Sequence, residues 1–377
     1  MHLRLEKYKI FFFPVLLVLF FITEGINKVA FLQTHETLQS ARLIKGVVLL
    51  ICLVFLTLNK EFTKYLLALF FISISFCLGQ FFLDTKFDHQ VVIFVFKYLF
   101  LIALILLHNL AFKNESSELL IRVFEYIIII NSALVIIGFC FNIHIFETYK
   151  WNRFGYNGLL VSSATSTYFY TISLFHFFIK YQEKFFIKPI VLFCLLASVL
   201  VGTKSLYAVM AFMFFIYVIV YVSGKLKQIF ILGLLITIAL VFYFLFFELE
   251  TFNEIRKTQG LITSILSYRD NIFQTKMLPF ISEKWHLINY LFGGISDVTT
   301  RPQMMFFDLI YFFGFVGALV YIIVLTKAYF NFRSATIGFT MISVLVLLGS
   351  VGGNILLNAT VAIYLVVFRE SIKSIKN

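Results

Sequence analysis

The chain has 377 residues, of which 61% are hydrophobic and 13% are charged, and its mean hydropathy is +0.97. About a quarter of the residues in soluble domains are charged, so this composition excludes an ordinary soluble protein. The net charge of +12 would suggest nucleic acid in a soluble protein, but most positive residues here stand in short loops between apolar runs. Membrane orientation explains them better, and no nucleic-acid partner is expected.

Twelve apolar segments approach the ~20 residues that cross a bilayer as a helix. The sequence therefore predicts an all-α, polytopic integral membrane protein with about 12 transmembrane helices in a single membrane domain, 1–377. The first segment follows a basic stretch, as in a signal peptide, but no small-residue cleavage site follows it, so we interpret it as a span. The segments are 10–28, 41–58, 64–83, 91–112, 119–142, 158–179, 189–202, 205–223, 229–247, 304–326, 335–350 and 353–369.

Lysine and arginine are concentrated in alternate short connections between these segments. Because cytoplasmic loops carry this excess, both termini are predicted to be cytoplasmic, in a bacterial inner membrane. The long polar stretch 248–303 then lies outside, on the periplasmic side, as a loop or lid. Merging the short pair around Gly202, or the last pair of segments, would reverse part of this topology.

The long outer loop has a helical pattern of its own between Thr263 and Met277, where apolar residues recur at helical spacing. This pattern predicts an amphipathic helix that lies against the membrane face. Arg269 and Lys276 are seven residues apart, hence on one side of that helix. Pro279 is expected to end or bend it.

Isolated cations accumulate on the predicted outer side. Arg153 precedes a segment with seven Ser and Thr residues between 162 and 173, which is expected to face other helices or a hydrated cavity. Lys204 stands at the outer end of two short helices. With Arg269 and Arg301 these side chains could bind a polyanion, since the planar guanidinium binds two phosphate oxygens. The alternative for each cation is snorkelling to lipid phosphates.

Four short motifs follow one another between residues 150 and 320: Arg153-Phe154-Gly155, Gly202-Thr203-Lys204-Ser205, Leu291-Phe292-Gly293-Gly294, and Asp308-Leu309 followed by Gly314 and Gly317. Their order and spacing resemble the Wzy-type O-antigen and capsular polysaccharide polymerases, relatives of the O-antigen ligases. The chain departs from that pattern at Lys204, where arginine is usual, and at Gln303 and Met305, where acidic residues are expected.

The resemblance implies a metal-independent glycosyltransferase without a cofactor. A growing glycan would pass from its polyprenyl (undecaprenyl) diphosphate carrier to a lipid-linked repeat unit at the outer face of the inner membrane, as in lipopolysaccharide biosynthesis. Membrane lipids and a chain-length regulator protein are the other candidate partners. The implied site has Arg153, Lys204, Arg269 and Arg301 on the diphosphate or glycan phosphate, and Asp308 or His286 as the base. A helix-packing carboxylate is the alternative interpretation of Asp308.

Two other functions remain open. An O-antigen ligase would use the same donor, but ligases resemble the pattern H-N-x-x-L where this chain has Asp308-Leu309. A flippase or other transporter would place polar, broken helices at mid-bilayer in both halves, whereas few ionisable residues lie inside the predicted spans here. Those residues are Lys97, Arg122 and Glu125, and the last two are predicted to pair because they are three residues apart.

Overall fold

Helices make up nearly all of the computed structural model, which describes residues 2–34, 38–83, 88–112, 117–149, 153–332 and 336–374, with the side chains of the first helix described from Phe11 onward. In these ranges the helices are α1 (His2–Thr34), α2 (Gln39–Thr57), α3 (Thr63–Phe81), α4 (His89–Ala111), α5 (Glu118–Phe141), α6 (Ser163–Tyr181), α7 (Pro189–Leu200), α8 (Lys204–Tyr221), α9 (Gly224–Tyr243), α10 (Glu250–Gln259), α11 (Leu261–Leu266), α12 (Arg269–Ile272), α13 (Leu278–Lys284), α14 (Leu287–Phe292), α15 (Met305–Tyr329), α16 (Thr336–Val351) and α17 (Ala359–Lys373).

Each of the twelve predicted apolar segments overlaps a helix, as expected where the backbone must satisfy its own hydrogen bonds, although segments 158–179 and 353–369 begin several residues before α6 and α17. Among the described residues, eight helices are long and apolar enough to cross a membrane: α1 to α5, α8, α9 and α15. Helices α7 and α16 are apolar but shorter. These findings support an α-helical membrane protein, and the count of twelve crossings stays a prediction. The two short pairs of helices stay separate. Helix α7 ends at Leu200 and α8 begins at Lys204, and a 3-10 turn separates α16 from α17.

The chain divides into two compact units. The first unit comprises Met1–Ile127 with Ile272–Asn377, and the second unit comprises Ile128–Asn271. The predicted outer loop, 248–303, is therefore shared: its part up to residue 271 belongs to the second unit and the remainder to the first. The prediction of a single membrane domain is not tested by this division.

In the first unit, α4 and α17 pack together and are buried over most of their length. Polar side chains tie other helices to α17 near both of its ends. Lys45 of α2 donates to Glu24 of α1 at 3.2 Å and to Thr360 of α17 at 3.0 Å. The fully buried Arg369 donates its Nε–H to the carbonyl oxygen of Tyr329, the last residue of α15, at 2.7 Å.

In the second unit, the polar helix α6 is buried at every position from Thr165 to Ile179. The prediction that this segment does not face lipid is thus confirmed. The buried Asn131 of α5 fixes the segment before α6: its Nδ2 donates to Tyr170 Oη at 3.0 Å, and its Oδ1 accepts from the backbone N–H of Leu159 at 3.0 Å. Helix α9, in contrast, has only Leu234 buried.

The predicted continuous helix from Thr263 to Met277 is interrupted. Ser267 and Tyr268 adopt left-handed conformations, with φ of 53° and 66°, and end α11 before α12 begins. Helical winding then continues through a π-helical turn, Phe273–Met277, into α13. Pro279 does not end the helix, because the wider turn before it relieves the clash that its ring makes in a regular α-helix.

The described ion pair of Arg122 is with Glu118, and the charge of its predicted partner Glu125 also acts on it. The Nη2 of Arg122 lies 2.6 Å from Oε1 of Glu118, one turn earlier on α5, and both side chains are mostly exposed. Spacings of three and four residues both bring side chains together on a helix, and the sequence alone did not choose between these carboxylates.

Candidate functional site

In the second unit, the segment that carries Arg153-Phe154-Gly155 crosses the segment that carries Gly202-Thr203-Lys204-Ser205. The backbone N–H of Tyr156 donates to the carbonyl oxygen of Leu200 at 2.7 Å. Gly202 has φ of +71°, and a Cβ there would lie 2.5 Å from the carbonyl oxygen of Phe154. Only glycine combines this conformation with so close an approach. The crossing explains why residues separated by about fifty positions, Arg153 and Lys204, occupy one region.

Arg153 is half-buried among aromatic rings. Its guanidinium carbon lies 3.9 Å from the ring centroid of Tyr149 and 4.9 Å from that of Phe252. Burial lowers the pKa of Arg153, but a guanidinium remains protonated at any physiological pH. Burial raises the pKa of Tyr149, so its hydroxyl is neutral and supplies no counter-charge. Arg153 forms no hydrogen bond or ion pair with any described residue.

Lys204 holds the end of α11. Its Nζ donates to the carbonyl oxygens of Ser264 at 2.6 Å and Ile265 at 3.0 Å, and to Oγ of Ser267 at 3.0 Å. The ammonium has three donors, and all three are used. The carbonyls at a helix C-terminus lack partners within the helix and carry partial negative charge, so a cation stabilises them. Lys204 also lies 4.2 Å from the ring of Phe252.

Arg269 completes a cation cluster, which we define as Arg153, Lys204 and Arg269. Its Nη1 donates to the carbonyl oxygen of Leu266 at 3.0 Å, at the same end of α11. The charges of Arg153 and Arg269 both act on Lys204. Among the described residues, no carboxylate forms an ion pair with Arg153 or Lys204. The nearby Asp270 instead accepts from the hydroxyl of Thr263 at 2.6 Å.

The other two motifs cross in the first unit. The backbone N–H of Gly294 donates to the carbonyl oxygen of Tyr311 at 3.1 Å. Gly314 interrupts α15 with φ of 64° and ψ of −174°, and a Cβ there would collide with the backbone of Leu291 and Phe292. Close contact of these two chain segments thus explains Gly293 and Gly314, whereas a Cβ at Gly294 would meet the side chain of Leu83 and one at Gly317 those of Phe313 and Ser75.

Asp308 and Arg301 lie beside this second crossing. Asp308 is fully buried in the first turn of α15. Its Oδ2 accepts from Arg301 Nη1 at 3.0 Å and from Asn354 Nδ2 at 2.9 Å, and its Oδ1 accepts from the backbone N–H of Gln303 at 3.0 Å. Asp308 therefore orients Arg301 and fixes the segment that precedes α15.

His286, the other candidate base, is exposed at the start of α14. Its backbone N–H donates to Asn289 Oδ1 at 3.0 Å. The described contacts do not join it to Arg301 or Asp308. Of the six predicted site residues, the structure thus places three cations in one cluster of the second unit, and pairs Arg301 with Asp308 in the first.

Sequence reasoning missed the aromatic partners of the cations. Tyr149 and Phe252 are two among many aromatic residues in this chain, which has 51 Phe and 19 Tyr, and nothing in their spacing singles them out. Asn354 could have been noted as a polar residue in an apolar region. Among the described residues, no group of three or more His, Cys, Asp and Glu side chains is placed to hold a metal ion.

Comparison of the chain with models of known protein families, with curated proteins and with solved structures gave no match. The fold and the helix composition define the class, an α-helical membrane protein. A more specific function rests on the contacts and charges of the chain's own residues.

Replacing Lys204 with methionine should loosen the end of α11. Methionine keeps an unbranched, apolar stem but removes three donors to the segment Ser264–Ser267. A hydrogen bond to a charged group contributes about 1.5–3 kcal/mol net of exchange with water, so the loss of even one of the three should make local opening easier by about 2 kcal/mol. Backbone amides of this segment should then exchange roughly thirtyfold faster in hydrogen–deuterium exchange.

A matched control is Lys227→Met, because the described Nζ contact of Lys227 is one bond to the carbonyl oxygen of Ile219 at 2.9 Å, on an exposed surface. Exchange at 264–268 should be unchanged in that variant. Equal protection in Lys204→Met and in the unmodified protein would show that the three bonds do not hold the loop.

Proposed function

We propose that this protein is a membrane-embedded polysaccharide polymerase. It transfers a growing glycan from a polyprenyl diphosphate carrier to a lipid-linked repeat unit at the outer face of a bacterial inner membrane. One observation carries the proposal: Arg153 lies between two aromatic rings with no described acidic partner, beside Lys204 and Arg269. Such a cluster suits an anion with several oxygens, and a diphosphate is one.

The chemistry required of the protein is modest. A hydroxyl of the acceptor sugar attacks the anomeric carbon of the donor glycan, and the bond from that carbon to the diphosphate oxygen breaks. The leaving diphosphate takes the electron pair, and cations placed around it stabilise the developing charge. The hydroxyl proton passes to a base. No metal or cofactor is required by this scheme.

The assignment of the base to Asp308 or His286 stays a prediction. Asp308 already accepts three hydrogen bonds, and taking the proton would weaken its ion pair with Arg301. His286 is exposed, and nothing described blocks its access to a substrate hydroxyl. We therefore propose that His286, which is exposed, acts as the base and that Asp308 orients Arg301.

The proposed topology has twelve crossings, both termini in the cytoplasm and residues 248–303 in the periplasm. The alternation of Lys and Arg in the connections supports this orientation. The cation cluster fits it, because Arg153, the start of α8 and Arg269 all belong to segments assigned to the outer side.

Deleting the gene tests the proposal against the ligase. Loss of a polymerase should leave a single repeat unit on the lipopolysaccharide core, seen on a gel as one short band in place of a ladder. Loss of a ligase should leave no repeat unit on the core at all. A wild-type copy supplied in trans should restore the ladder.

A transporter is tested with purified protein in vesicles that contain lipid-linked repeat units. The polymerase should lengthen the glycan without moving lipid-linked units across the bilayer. Flipping without lengthening would contradict the proposal.

A further inference from the structure

Lys97 is a cation within an apolar helix and outside the cation cluster. It lies on α4, eight residues and so about 12 Å from the helix start. Its side chain is half-buried, and Nζ lies 4.2 Å from the ring centroid of Phe94. Among the described residues, Lys97 forms neither a hydrogen bond nor an ion pair. A charge at such a position is costly, and when it faces the protein it usually has a partner.

Arg301 approaches the same aromatic ring. Its guanidinium carbon lies 4.5 Å from the centroid of Phe94, and its side chain retains 16% exposure. Nη1 donates to Asp308, which fixes the orientation of the plane. The remaining N–H groups of Arg301, on Nε and Nη2, donate to no described residue. Both cations therefore contact the ring of Phe94, and Arg301 keeps a planar fork with open donors.

Lys97 lies among positive charges. The positive charges of Arg301, Lys45 and Arg42 all act on Lys97. Asp308 is paired with Arg301, and Glu24 is paired with Lys45 at 3.2 Å. Neither carboxylate has an ion pair with Lys97. Among the described residues, Lys97 therefore lies near cations without a carboxylate partner.

We propose that Lys97 and Arg301 form a second anion site, the Phe94 site, which binds the phosphate of a lipid headgroup. The open fork of Arg301 suits two phosphate oxygens, Lys97 adds a point charge, and the apolar surface of α4 suits the lipid chain. Resting on the proposed function, the inference goes one step further. The proposed reaction uses two lipid diphosphate substrates, a donor and an acceptor, and the Phe94 site would bind the one that the cation cluster does not.

Native mass spectrometry of the purified full chain in detergent tests the inference with farnesyl diphosphate, a short polyprenyl diphosphate, as the probe. The unmodified protein should bind two molecules. Lys97→Met and Arg153→Met should each bind one, with affinity at the altered site reduced about tenfold or more, or 1.4 kcal/mol. Lys97→Arg should restore the second molecule, and the control Lys227→Met should bind two. Two bound molecules in Lys97→Met would overturn the inference.

Further ligands identify the source of the phosphate. Inorganic pyrophosphate should bind the Phe94 site far more weakly than farnesyl diphosphate, since it lacks a lipid chain. Equal binding of the two would contradict a lipid headgroup. Phosphatidylglycerol that displaces farnesyl diphosphate from the Phe94 site, but not from the cation cluster, would assign the site to a bulk lipid and overturn the role in the reaction.

The two hypotheses fail in different ways. If the deletion strain shows the single-unit band and Lys97→Met still binds two probe molecules, the polymerase proposal stands and the Phe94 site is wrong. If Lys97→Met binds one molecule and the deletion strain retains its ladder, the site stands and the polymerase is wrong.

Discussion

Cells in which Arg153 is replaced by methionine should make short glycans in place of a long ladder. The guanidinium is proposed to meet the diphosphate as its charge develops, and removing one preorganised stabiliser of such charge costs about 10²–10³ in rate. Methionine fills part of the space between Tyr149 and Phe252 without the charge. The ladder on a lipopolysaccharide gel, at equal amounts of protein in the membrane, measures the effect.

Graded variants separate charge from geometry. Arg153→Lys should retain part of the ladder, because lysine keeps the charge but binds as a point rather than a fork. Arg269→Ala should shorten the ladder as well. Arg122→Met is the matched control, since this arginine is exposed and paired with Glu118 far along the chain from the cluster. Full-length ladders in both Arg153→Met and Arg269→Ala cells would rule out the diphosphate role of the cation cluster.

Replacing Gly314 with alanine should destabilise the protein by about 2–6 kcal/mol. Its backbone angles lie in a region that essentially only glycine adopts, so a side chain there costs about 1–3 kcal/mol. The added Cβ would also collide with the backbone of Leu291 and Phe292, and overpacking of this kind costs about 1–3 kcal/mol more.

Tryptophan fluorescence during heating measures this effect. The chain has two Trp residues, and the buried Trp285 donates its indole N–H to the carbonyl oxygen of Gly294 at 2.9 Å, next to the crossing. Gly233→Ala is the control, since nothing lies within 4 Å of a Cβ at that helical position. It should leave stability unchanged or raise it by up to about 1 kcal/mol. Equal melting temperatures of Gly314→Ala and Gly233→Ala would show that the two segments are not in tight contact at Gly314.

The helices could be predicted from the sequence because apolar runs of membrane length have one low-energy backbone state in lipid. The burial of α6 could also be predicted, since its hydroxyl groups are poorly suited to a lipid-facing surface. The end of α11 could not be predicted from the sequence. Helical spacing continues through Ser267, and the contacts that end the helix come from Lys204, about sixty residues earlier.

The candidate site was predicted as four cations with Asp308 or His286 as the base, but without their arrangement. Their division into a cluster with Lys204 and a pair with Asp308 depends on two backbone crossings, and a crossing leaves no local pattern apart from its glycines. The sequence places Gly202 and Gly314 in motifs, but the physical reason for each glycine, a close backbone contact, is seen only in the structure. Lys97 was noted as an ionisable residue in a span, but its neighbour Arg301 lies two hundred positions away.

Lys204 and Arg269 hold the end of α11 mainly by its main chain. Their described acceptors include the carbonyl oxygens of Ser264, Ile265 and Leu266, which every amino acid possesses. The exposed Ile265 can therefore change identity while its attachment persists. A segment held in this way is free to diversify its side chains over evolutionary time while its attachment stays unchanged.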